Sequence, residues 1–155
     1  MNPVGEFCGI KAKPLGTLEF GQVKRMLRKM ASPTFDDLAE TFNLVFGVSK
    51  HQLLRAWVTD FFYASNWISQ SLMKIVENEN KVLGGDIDPA FLEAGIERLT
   101  PLKELPILFD IGRQFGKDPE EIERWKYNKV FAIQAEGKIV GDIQKEYQRI
   151  KTKSA

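Results

Sequence analysis

The sequence predicts an all-α fold: an orthogonal helical bundle around one long central helix, with an extended N-terminal arm. Three observations carry this. Apolar residues recur at helical spacing along most of the chain, caps and glycine stops punctuate that pattern, and no segment alternates apolar and polar residues as a strand would. The 155 residues divide into the arm, residues 1–16, and a single helical domain, residues 17–155, large enough to bury about 68–70% of the surface its unfolded chain exposes.

The arm contains Pro3, Gly5, Gly9, Pro14 and Gly16, which oppose regular structure, yet Val4, Phe7 and Ile10 are spread along it. Apolar side chains in a segment too short to make its own core must dock, on the chain's own body or on a neighbour. These three are candidate partner-binding residues.

Thr17 can cap a helix over residues 18–30, with Phe20, Val23, Leu27 and Met30 on one side and Lys24, Arg25, Arg28 and Lys29 on the other. The four cations form a second candidate binding surface, for an acidic protein face or nucleic acid; the same pattern also serves as an ordinary solvated face, and no aromatic side chain interleaves with it to stack bases. After Ser32-Pro33, Thr34 with Asp37 opens a helix that runs to Phe46 and closes at Gly47.

Ser49 and Gln52 form a capping box, and no Gly or Pro follows until Gly84-Gly85. One unbroken helix over residues 50–83 is therefore expected, about 50 Å long. Its first half, LLRAWVTDFFYASNWI, is apolar around most of its circumference, so other helices or a partner must cover it. Trp57, Phe61 and Ile68 are expected to be nearly inaccessible.

Asp88-Pro89 begins a helix to about Leu99, Thr100-Pro101 repeats the device, and Pro106 restarts a helix that ends at Phe115-Gly116. Asp118-Pro119-Glu120-Glu121 opens the last helical region, with a bend expected near Tyr127-Asn128 and weakening at Gly137 and Gly141.

The formal net charge is +1 but unevenly distributed: +4 over residues 1–30, +3 over residues 138–155, and −6 between. Basic ends on an acidic body fit head-to-tail contact between copies, terminal arms that reach a polyanion, or solvated termini.

Chemistry has little to stand on. His51 is the only histidine and falls in a helix's first turn with no local partner; Cys8 is the only cysteine, which fits a reducing compartment. Glu77, Glu79, Asp86 and Asp88 hint at a cation site but lack the third ligand and loop glycine of a calcium loop. No phosphate-binding loop, dinucleotide fingerprint or zinc spacing occurs. No catalytic residue, metal ligand or cofactor is predicted. There is also no signal peptide and no apolar run of about 18 residues, so a non-secreted, non-membrane protein is expected.

Phe46-Gly47-Val48-Ser49 and Phe115-Gly116-Lys117-Asp118 share the order of helix, glycine stop, cap and next helix, which resembles the helix-turn-helix of DNA-binding proteins. The charge opposes that use. Asp118, Glu120, Glu121 and Glu123 would meet phosphate at the front of the second candidate helix, and the first candidate is too apolar.

Residues 35–83 and the later DPEEIERWKYNKVF, followed by a basic, Tyr-containing helix, are similar to small helical tail-assembly and virion structural proteins of tailed bacteriophages. The resemblance spans about two thirds of the chain and transfers no functional residue. It implies a non-enzymatic subunit that binds other virion or assembly proteins, in several copies or as a homo-oligomer, located in the host cytoplasm or the particle. The alternative is a helix-turn-helix regulator or DNA-packaging factor.

Overall fold

The computed structural model describes residues 5–85 and 93–153. It is all-α, with seven helices, two short 3₁₀ segments and one minimal hairpin among the described residues. The helices are α1 Phe20–Lys29, α2 Phe35–Phe46, α3 Lys50–Leu54, α4 Val58–Leu83, α5 Leu105–Phe115, α6 Pro119–Glu123 and α7 Tyr127–Lys153; the 3₁₀ segments are Leu15–Thr17 and Ile96–Leu102.

The N-terminal segment docks on the chain's own body, which corrects the expectation of an extended arm. Strands β1 Glu6–Phe7 and β2 Ile10–Lys11 pair through a two-residue turn in which Cys8 (φ 49°) and Gly9 (φ 79°) are both left-handed, the geometry a tight hairpin turn requires. Phe7 enters the core at 1% exposure, its ring 5.0 Å from Phe42 and 5.6 Å from Phe46. The Lys13 amide donates to the Val45 carbonyl at 2.9 Å, fastening the segment to α2. Gly5 lies against the Trp67 indole, so close that a β-carbon there would stand 2.3 Å from the ring.

Helix α1 begins later than its sequence suggests. Thr17 ends a 3₁₀ turn, and Glu19 with Gln22 forms the capping box. An antiparallel bridge between Glu19 and Lys126 holds this start against the α6–α7 corner; the Phe20 amide donates to Trp125 and the Tyr127 amide to Leu18, both at 2.8 Å. Helix α2 matches its sequence signals from the Thr34 cap with Asp37 to the left-handed Gly47 (φ 73°).

The expected helix over residues 50–83 is two helices. The Ser49–Gln52 capping box is present, but α3 ends at Leu54 and Trp57 is extended (φ −64°, ψ 138°) as the N-cap of α4. Two causes combine. Trp57, Val58 and Thr59 are poor helix formers in sequence, while Asp60 then meets the positive end of a new helix. A straight rod of about 50 Å would also overrun a body whose radius of gyration should be about 15 Å. The turn lets α3 bury Leu53 beside α2, while α4 buries Ala64, Ile68 and Leu72. Trp57 is consequently 79% exposed rather than inaccessible; Phe61 is half-buried, and Ile68 is buried as expected.

The expected helix from Asp88-Pro89 lies largely outside the described residues. Pro101 sits inside the 3₁₀ helix Ile96–Leu102 and starts nothing new. Helix α5 ends at Gly116 (φ 62°) as predicted, and the last helical region breaks at residues 124–126, just before Tyr127.

The core joins two aromatic groups. Phe7, Phe42, Phe46, Phe61 and Trp67 meet between β1, α2 and α4; Phe20, Tyr127 and Phe131 stack between α1 and α7. Between α1, α4 and α7, Glu79 accepts hydrogen bonds from the Lys24 ammonium (2.7 and 2.8 Å) and the Tyr127 hydroxyl. Burial, reinforced by the Glu79 carboxylate, pushes the Tyr127 phenol far above its ordinary value and keeps it a donor.

Candidate functional site

The basic face of α1 is engaged within the chain. Besides Lys24–Glu79, Arg25 pairs with Glu40 at 3.2 Å, Arg28 with Glu104 at 2.7 Å, and Lys29 with both Asp37 at 2.6 Å and Glu40 at 3.1 Å. Lys29, with help from Thr34, holds the Asp37 carboxyl down at about 2. The cations thus tie α1 to α2, α4 and the start of α5. Each meets a carboxylate rather than facing an open cationic patch.

Of the arm residues, Val4 lies outside the described residues, Phe7 is buried, and Ile10 is exposed. The structure therefore scatters the predicted partner-binding residues. Phe7 and the four cations are placed in internal contacts, and Ile10 stands alone at the hairpin tip.

The chain does present a different apolar surface, on α4. Its core stripe runs through Ala64, Ile68 and Leu72, but Val58, Phe62, Met73 and Val76 recur at helical spacing on a second stripe and are all exposed, Phe62 at 65%. Leu54 and Trp57 extend it beyond the α4 N-terminus. Toward its other end, Leu27 of α1 and Met30 and Ala31 just after that helix approach, and the stripe becomes a shallow groove of about 440 Å³ lined also by Leu72, Met73 and Val76. Methionine-bearing, mostly apolar grooves of this kind adapt to apolar side chains. The available signal was the width of the apolar pattern in LLRAWVTDFFYASNWI, too broad for one buried face.

The two glycine corners are compact structural turns. Gly47 and Gly116 are left-handed, and the Asn43 side chain donates to the Val48 carbonyl at 3.1 Å across the first. The helices that follow, α3 and α6, are five residues each, and Glu120 and Glu121 of α6 are exposed. A helix so short and acidic offers little to a DNA groove.

The sparse chemical groups do not converge. His51 is exposed, as are Arg55 and Asn66 nearby in the chain, and the Cys8 thiol lies 3.6 Å from Asp60. Partial burial and then that carboxylate push the Cys8 thiol upward, opposing thiolate formation. Glu79 is held by Lys24 and Tyr127, while Asp86 and Asp88 lie outside the described residues; no group of three potential metal ligands occurs among the described residues. No described helix is long and apolar enough to cross a membrane. Comparison with known proteins finds no matching family model, curated protein or solved structure.

Proposed function

We propose that this chain is a non-enzymatic, protein-binding subunit of a phage-like virion or of its assembly machinery, and that the outer face of α4 is its docking surface. The observation that carries this reading is the second apolar stripe, Val58, Phe62, Met73 and Val76, left exposed beside a complete core stripe on the same helix. Exposing that much aligned apolar surface is costly to a free protein and is relieved when a partner covers it. The groove against α1 suits a helix or loop bearing apolar anchors. The phage assignment rests on the sequence resemblance, and the docking face rests on this geometry.

Capture of partners by the immobilised chain, with duplex DNA offered in parallel, tests the reading. A virion or assembly protein should be retained by the native chain, should survive a rise from about 50 to 200 mM salt, and should be lost with Phe62→Glu or Met73→Glu. Retention of DNA that falls steeply over that salt range would favour the regulator alternative. Partner retention unchanged by both substitutions would remove α4 as the surface.

A further inference from the structure

Helix α7 outruns the body that supports it. It has 27 residues, about 40 Å, yet only Tyr127 and Val130 near its start are buried, and every residue over 142–153 is exposed. Gly137 and Gly141 lie within it with no neighbouring atom within 4 Å of a β-carbon built at either. Each costs a helix about 0.8–1 kcal/mol relative to alanine, and a free-standing stretch as short as residues 142–153 is marginal in water. A projecting half-helix with two such weak points gains order from a partner.

The exposed residues show which partner fits. Val140, Ile143, Tyr147 and Ile150 follow the 3-4-3 spacing of successive coiled-coil core positions, flanked by Ile139; Ile143 is 63% and Tyr147 61% exposed. At 100° per residue Ile143 and Tyr147 lie about 150° around the helix from the Tyr127–Val130 face, which leaves room for a second helix there, while Val140, at the edge of the stripe, also borders a shallow groove that it shares with Leu83, Ile107 and Ile111 of the body. In that register Glu146 and Lys151 take the flanking positions that meet across a parallel pair, five residues apart in sequence and opposite in charge. An antiparallel pair with Val140 opposite Ile150 would instead bring Glu146 against its own mate. The internal contact of Glu146, to Arg149 at 2.9 Å, is a solvent-exposed pair that yields readily.

We infer that the C-terminal half of α7 is a self-association element that pairs in parallel with the same helix of a second copy, with Val140, Ile143 and Tyr147 in the seam and Glu146 facing Lys151 of the mate. The occupant is a second copy because the charge pattern is complementary to itself in that one orientation. This contact is separate from the α4 face, and either stands without the other.

Sedimentation equilibrium of the full chain across a wide concentration range is the test. The native chain should reach a dimer mass. Ile143→Glu should raise the dissociation constant by at least about tenfold, equivalent to about 1.4 kcal/mol, while the near-ultraviolet circular dichroism of the body stays unchanged. Glu146→Lys should weaken the dimer, and adding Lys151→Glu should restore it. A monomer at every concentration, a closed state larger than a dimer, or a dimer indifferent to Ile143→Glu would overturn the proposal. Strengthening by Glu146→Gln would overturn the parallel arrangement, because only like-charge apposition is relieved by neutralisation.

Discussion

Phe7→Ala separates a docked N-terminal segment from a free one. Phe7 is 1% exposed and contacts the Phe42 and Phe46 rings at 5.0 and 5.6 Å, so truncation leaves a cavity with aromatic walls. Phe→Ala substitutions in cores cost about 3–5 kcal/mol. Each lost aromatic pair contributes about 0.5–1.5 kcal/mol beyond buried area, which places this site in the upper part of that range. Domains are stable by only about 5–15 kcal/mol, so the variant should retain a fold with a visibly reduced margin. In urea, with a slope of about 2 kcal/mol/M, a loss of 4 kcal/mol lowers the midpoint by about 2 M. Ile10→Ala, at the exposed hairpin tip, is the control and should cost less than about 1 kcal/mol. A Phe7→Ala loss as small as that of Ile10→Ala would refute the docking and return residues 1–16 to the role of a free arm.

Gly116→Val should destabilise the fold by about 1 kcal/mol or more, read by thermal melting; its left-handed backbone disfavours a side chain, and no neighbour lies within 4 Å of a β-carbon there, so the cost is backbone strain alone. The folded-state pKa of Asp37, held at about 2, lies below its ordinary value of 3.8, so its stabilisation is present above that value and disappears as pH falls toward 2. Asp37→Asn should accordingly melt below the native chain at pH 6, with the gap closing by pH 2; a gap independent of pH would contradict this. Tyr127, raised above its ordinary value, stabilises the fold at neutral pH and loses that contribution at strongly alkaline pH, so its ultraviolet ionisation signal should appear only with unfolding. Tyr127→Phe leaves Lys24 and Glu79 paired but removes one donor from a partly buried carboxylate, and should cost about 1–3 kcal/mol in denaturant unfolding.

Where local chemistry governs an element, the sequence was a sufficient guide. The Thr34–Asp37 box, Gly47, the Ser49–Gln52 box and Gly116 all act through backbone groups a few residues away, and each sits where its pattern indicated. The break at residues 55–57 was less legible because it contains neither Gly nor Pro; its causes are modest propensities at Trp57, Val58 and Thr59 together with the turn needed to keep α4 on the core. The same turn moved Trp57 from expected core to surface. Phe7 and the basic face depended on distant partners, Phe42 in one case and Glu79, Glu40 and Glu104 in the other, and periodicity alone cannot supply such pairings. The α4 surface was visible only as an apolar pattern wider than a single buried stripe; which side remains open is set by how α1, α2 and α7 surround the helix.

If α4 is the docking surface, its outer face is covered when the chain is in its complex. Hydroxyl-radical footprinting reads this directly, since Trp57, Phe62 and Met73 are exposed and carry readily oxidised side chains. Compared between the isolated chain and the assembly recovered from its native source, all three should lose labelling in the assembly while Phe115, exposed on α5, serves as the reference. Equal labelling of Trp57, Phe62 and Met73 in both states would contradict the assignment of α4 as the docking surface.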